Sequence, residues 1–132
     1  MAIEKVIWCG MKRPSKEQRK ALNLIGEITF LRTVDLDLLK RFMTHDVKVL
    51  KEAATQLIDT YGTEYVICGL AGSYLFQYIF GLTMFKMDNR LSANVFFSIK
   101  KEGEAKYDKH GAYVGNASCV HDYFVNILGE KL

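Results

Sequence analysis

Val6-Ile7-Trp8-Cys9-Gly10-Met11-Lys12-Arg13-Pro14-Ser15 is an apolar run that breaks at a glycine, then passes through two cations into a proline–serine pair. The apolar part, taken from Ile3 to Cys9, has the length and composition of a strand. Pro14-Ser15 opens a helix, with Ser15 as N-cap and Gln18 as its capping-box partner, ending near Ile25-Gly26. The same order recurs at Tyr65-Val66-Ile67-Cys68 followed by Gly69-Leu70-Ala71-Gly72-Ser73. Strand, loop and helix in repeated succession predict an α/β fold, a mostly parallel sheet with helices on both faces. In such sheets ligands bind outside the carboxyl ends of the strands, where loops run into helix N-termini.

Between these units, Glu27 to Val34 reads as a second strand. Leu39, Phe42, Met43, Val47, Leu50, Ala54, Leu57, Ile58 and Tyr61 then fall on one helical stripe. Thr44-His45-Asp46 divides that stripe, since Thr and Asp both cap helices, and Gly62 ends it. From Ser73 a helix begins that is apolar on nearly every side, so it belongs in the core or against another subunit. Ala93 to Lys100 reads as a fourth strand, Lys100 to Lys109 as a charged hairpin or loop, and Ala112 to Val114 as a last short strand. Asn116 or Ser118 then caps a terminal helix through Val120, Tyr123, Phe124, Ile127 and Leu128.

The chain has 132 residues, 49% of them hydrophobic and 25% charged, with one proline. This is ordinary for one soluble domain, spanning 1–132, with 101–132 as a C-terminal extension of hairpin or loop plus helix. The net charge of +3 is uneven. The first twenty residues hold six basic groups against two acidic ones, leaving the remainder close to neutral. A local cluster suits a compact anion site, and argues against a groove tracking long duplex DNA. Three distant cysteines, Cys9, Cys68 and Cys119, and no apolar leader point to free thiols in a cytoplasmic setting. Tyr65 to Phe85 carries no charge, but Gly69, Gly72, Gln77 and Gly81 interrupt it. A strand, a turn and a buried helix explain it better than a membrane span.

The first loop carries the chemistry expected of phosphate binding. Lys12 supplies a point charge, Arg13 a fork for two oxygens, and Ser15 the mouth of a helix N-terminus. Gly69 and Gly72 would let a ligand approach the backbone, although the loop lacks the Lys of a P-loop and the third glycine of a dinucleotide fingerprint. Arg32 offers a further phosphate contact, and Asp35 either a ribose contact or a cap for the helix at Leu36. His45, His110 and His121 stand apart, without catalytic or metal spacing, and read as exposed or capping residues. No metal site or cofactor is expected.

From Val6 to Lys100 the chain resembles the small CARF-like proteins of type III CRISPR systems, stand-alone ring nucleases among them. The matching features are the first strand with Pro14 to Gln18, the approach to Gly26-Glu27, Gly69 to Ser73 after the third strand, and a later strand ending in Lys100. The resemblance implies a Rossmann-like domain and a homodimer that binds cyclic oligoadenylate across its two-fold axis. Gly10, Met11, Lys12, Arg13, Ser15, Arg32 and Gly69, Leu70, Ala71, Gly72, Ser73 would be its ligand contacts. If the ring is cleaved, a metal-independent reaction would draw on Lys12, Arg13 and Ser15, with the ribose 2′-hydroxyl as nucleophile. A non-catalytic nucleotide sensor, and an interaction protein using the apolar helix from Ser73 to Gly81, are the alternatives.

Overall fold

The computed structural model describes residues 5–23, 25–44, 46–70, 74–101, 103–117 and 120–132. Strand β1 (Lys5–Trp8) leads through helix α1 (Lys16–Asn23) to β2 (Glu27–Phe30). A helical turn, α2 (Leu31–Val34), and two helices, α3 (Leu36–Arg41) and α4 (Val47–Tyr61), lead to β3 (Val66–Cys68). Helix α5 (Tyr74–Met87) and a 3-10 turn (Leu91–Asn94) precede β4 (Val95–Lys101). A hairpin of β5 (Ala105–Tyr107) and β6 (Tyr113–Asn116) follows, and then β7 (Val120–Val125).

Five strands form one sheet in the order β2-β1-β3-β4-β7. The first four are parallel, and β7 runs antiparallel on the outer edge of β4. Period-two alternation divides the core. Ile7, Cys9, Ile67, Val95 and Phe97 face α3, α4 and α5, where Leu39, Phe42, Leu57, Phe80 and Met84 are buried. Val6, Trp8, Val66, Cys68 and Phe96 face the other way, against Leu22 of α1 and Phe124 of β7. Helices therefore cover both faces of a mostly parallel sheet, as expected.

Capping sets several boundaries as read. Asp46 starts α4 by accepting from the Lys48 N–H at 2.9 Å, and Gly62, at φ 85°, ends it. The division of the long stripe at residues 44–46 is thus borne out, although His45 lies outside the described residues. Asp35 caps α3, its carboxylate accepting from the Leu38 N–H at 3.1 Å.

Two elements depart from the sequence reading. The second strand does not continue to Val34. Trp8, the last residue of β1, pairs with Phe30, so beyond Phe30 this edge strand has no neighbour and the chain coils into α2. The terminal helix is instead β7. Val-His-Asp-Tyr-Phe-Val is rich in residues that favour a pleated surface, and the open edge of β4 takes it up, with Phe97 opposite Val125. Of the two caps expected for that helix, Asn116 is instead the last residue of β6 and Ser118 lies outside the described residues. Asn126 closes the strand, its side-chain oxygen accepting from the Leu128 and Glu130 N–H groups.

Helix α5 is buried on one side only. Phe76, Phe80 and Met84 enter the core, while Leu75, Tyr78, Leu82 and Phe85 stand exposed in this single chain, at spacings of three and four residues. No helix among the described residues is long and apolar enough to cross a membrane.

The strand at 120–125 makes a sharp prediction. A helix would bury Phe124 and Leu128 together, whereas here Phe124 is 1% exposed and Leu128 is 57% exposed. Phe124→Ala should cost about 3–5 kcal/mol in urea unfolding, and Leu128→Ala less than about 0.5 kcal/mol. Equal losses would contradict the strand.

Candidate anion-binding cleft

β1 and β3 are parallel neighbours, and the Cys9 N–H extends their ladder to the Cys68 carbonyl at 2.8 Å. The loops after the two strands therefore leave the same edge of the sheet. Between the glycines that begin them, Gly10 and Gly69, stands a side chain of the protein, the Trp8 indole. A Cβ on Gly69 would come within 2.6 Å of indole carbons, and one on Gly10 within 2.8 Å of the indole nitrogen. Gly69 also holds φ 64°, a left-handed conformation that glycine adopts readily. Both glycines thus make room for a side chain of the protein itself. The indole N–H donates to the Lys12 carbonyl at 2.9 Å, which satisfies its buried polar atom and fixes the course of the loop.

An opening lies one strand over, at the carboxyl ends of β1 and β2. There a cleft of about 390 Å³ is lined by Trp8, Gly10, Met11, Lys12, Arg13, Arg19, Phe30, Arg32 and Thr33. Each element contributes for a local reason. The β1–α1 loop supplies Lys12 and Arg13, and the exposed side of α1 supplies Arg19. The coiling of α2 turns Arg32 back over the loop, so that its guanidinium donates to the Met11 carbonyl at 2.8 Å. Arg19 also stands over the Phe30 ring, 5.9 Å from its centroid.

Four cations line this cleft and no carboxylate does. None of the four forms an ion pair among the described residues, where the ion pairs are Arg41–Glu52 and Arg90–Asp88. Their fields add within a concave surface, which concentrates anions there. The two aromatic side chains, Trp8 and Phe30, add flat apolar surface beside the charge.

The structure thus brings together Gly10, Met11, Lys12, Arg13 and Arg32. Ser15 stands apart from the cleft lining. Its hydroxyl accepts from the Gln18 N–H at 3.2 Å and its own N–H donates to Gln18 Oε1 at 2.7 Å. This is the expected capping box, and it uses an N–H donor of α1 that the sequence reading offered to phosphate. Gly69 meets the indole, and Leu70 is buried in the core. Ala71, Gly72 and Ser73 lie outside the described residues. Lys100 is exposed on β4, away from the cleft lining. Trp8, Arg19, Phe30 and Thr33 were missed as lining residues, although Arg19 follows the expected helix cap by one turn and Phe30 shares a face with Ile28.

The remaining candidates have structural roles. Cys9 and Cys68 point into opposite cores, and burial pushes both thiols well above the ordinary range, so neither is a nucleophile at neutral pH. Cys119 lies outside the described residues. His110 sits in the β5–β6 turn, where its N–H donates to the Asp108 carboxylate at 2.8 Å. Among the described residues no cluster of three or more His, Cys, Asp or Glu is arranged to hold a metal ion.

Comparison with family models, with curated proteins and with solved structures gave no match.

The role of Gly69 is open to direct measurement. A Cβ there collides with the indole and strains the backbone, so Gly69→Ala should destabilise the fold by about 1–3 kcal/mol. A variant as stable as the parent would show that the indole does not fill this space.

Proposed function

We propose that the chain binds a phosphate-bearing nucleotide in the cleft at the ends of β1 and β2, and that the ligand is a cyclic oligoadenylate. The observation that carries this reading is the convergence of Lys12, Arg13, Arg19 and Arg32 beside Trp8 and Phe30, with no carboxylate in the lining. Phosphates need the cations, and base–aromatic stacking is a common way to hold unpaired bases. The position at the carboxyl edge of a mostly parallel sheet supports a Rossmann-like module, and the resemblance to small CARF-like proteins supports the choice of oligoadenylate.

A multi-phosphate ring is larger than this cleft, which favours a cytoplasmic homodimer presenting two clefts. The exposed row Leu75, Tyr78, Leu82 and Phe85 on α5 supplies apolar surface for a second copy. Ring cleavage, if it occurs, would rest on Lys12 and Arg13 stabilising charge on the phosphate rather than on Ser15, whose hydroxyl is engaged in the capping box.

Thermal shift with cyclic tetra- and hexa-adenylate, linear oligoadenylate and ATP tests the reading, because ligand-linked stabilisation grows with occupancy. The double variant Lys12→Ala/Arg13→Ala should keep the parent melting temperature. It should lose about 1.5–3 kcal/mol of binding for each charged hydrogen bond removed. Binding by the parent with unchanged affinity in the variant would overturn the assignment of the cleft. Absence of binding to every nucleotide would overturn the ligand class.

A further inference from the structure

The two aromatic side chains of the cleft differ in what they can offer a ligand. The Trp8 indole is 5% exposed, and its N–H is bonded to the Lys12 carbonyl. It lies so near Gly69 that a Cβ there would come within 2.6 Å of its six-membered ring. A ring enclosed in this way has no open face for a base. Phe30 is half-buried and ends β2, an edge strand paired with β1 on one side only. Part of the Phe30 side chain packs against the core beneath α1, and the same residue lines the cleft.

What stands over the Phe30 ring is a cation. The Arg19 guanidinium, on the exposed side of α1, lies 5.9 Å from the ring centroid. It is held less firmly than Arg32, which donates to the Met11 carbonyl at 2.8 Å. Arg19 forms no ion pair among the described residues, so a solvent-facing cation–π contact is what keeps it on the ring. Such a contact is weak at an exposed site. A charge-assisted hydrogen bond to a phosphate oxygen is stronger, and so is a base stacked on an aromatic ring. Both exchanges favour a ligand that brings a phosphate and a base together.

We propose that Phe30 is the surface on which the cleft takes a base, and that Arg19 is a cover that the phosphate removes from it. This rests on the cleft being a nucleotide site. An anion entering among Lys12, Arg13 and Arg32 draws the Arg19 guanidinium towards its oxygens and off the ring. The bared ring then receives the flat face of the base, while Arg19 stays with the phosphate in the same cleft. Charge and stacking act in sequence. Phosphate without a base leaves the ring bare in water, and a base without phosphate meets a ring already covered. The ligand class is a nucleoside phosphate whose base is unpaired, because a paired and stacked base presents no free face.

Solution NMR and calorimetry on the full chain test this with two polyanions, cyclic tetra-adenylate and inorganic tripolyphosphate. Both should shift the Arg19 Nε–H signal. Only the adenylate should move the Phe30 ring protons upfield, the direction imposed by a stacked base. In Phe30→Leu, with the circular dichroism of the parent, the preference for cyclic tetra-adenylate over tripolyphosphate should fall by about tenfold or more. Tripolyphosphate binding with no upfield Phe30 shift from the adenylate would overturn the proposal and leave the cleft as an anion site. An upfield shift on a different aromatic ring, or an undiminished preference in folded Phe30→Leu, would also overturn it. Failure of the parent to bind either polyanion would overturn the nucleotide reading of the cleft, and this proposal with it. Should Phe30→Leu not fold, the Phe30 and Arg19 signals of the parent decide the matter alone.

Discussion

The Trp8 indole, wedged between the backbones of Gly10 and Gly69, is the contact on which the arrangement of this edge depends. A parallel sheet leaves a crevice where successive connections depart to opposite sides, and between β1 and β3 the Trp8 indole occupies the space between Gly10 and Gly69. The consequences run outward from the ring. Its N–H holds the Lys12 carbonyl, which shapes the loop that carries Lys12 and Arg13. Its other face packs in the core beneath α1. One strand towards the edge lies an open cleft, to which α2 and α1 add Arg32 and Arg19.

Charge then accumulates where the backbone leaves room. The four cations come from three separate segments, and each is free to project because its own segment is anchored by something else. The indole anchors the loop, the Ser15–Gln18 capping box anchors α1, and the Asp35 cap anchors the helix that follows α2. Repulsion among uncompensated cations costs the folded state some stability, and an anion would relieve it. The capping box has a second use. By fixing the Gln18 amide it also holds the contact of α1 with Ser98 on β4, at 2.9 Å.

Much of the framework was legible in the residues. The apolar runs at Val6 to Cys9 and Tyr65 to Cys68, the helical stripe broken at Thr44 to Asp46, and the capping box at Ser15 and Gln18 are local signals, and local forces decide them. Lys12, Arg13 and Arg32 were legible as site residues because their charge stood out against the rest of the chain. The ends of β2 and the identity of residues 120–125 were not legible. Both depend on whether a neighbouring strand is present, which is a property of the assembled sheet. Gly69 was read as space for a ligand because nothing in that glycine alone reveals that a tryptophan sixty-one residues earlier occupies the space. The hydrogen bond between Ser98 and His121, 23 residues apart, was hidden by the helical reading of β7.

Trp8 is the only tryptophan and lines the cleft, so its emission reports directly on whether an anionic nucleotide enters there. Titration of the protein with cyclic tetra-adenylate should give a saturable change in that emission. Because several phosphates meet several cations, the midpoint should rise by about tenfold or more between about 50 and 200 mM NaCl. No emission change at saturating nucleotide, or a midpoint indifferent to salt, would contradict the account of this cleft as the binding site.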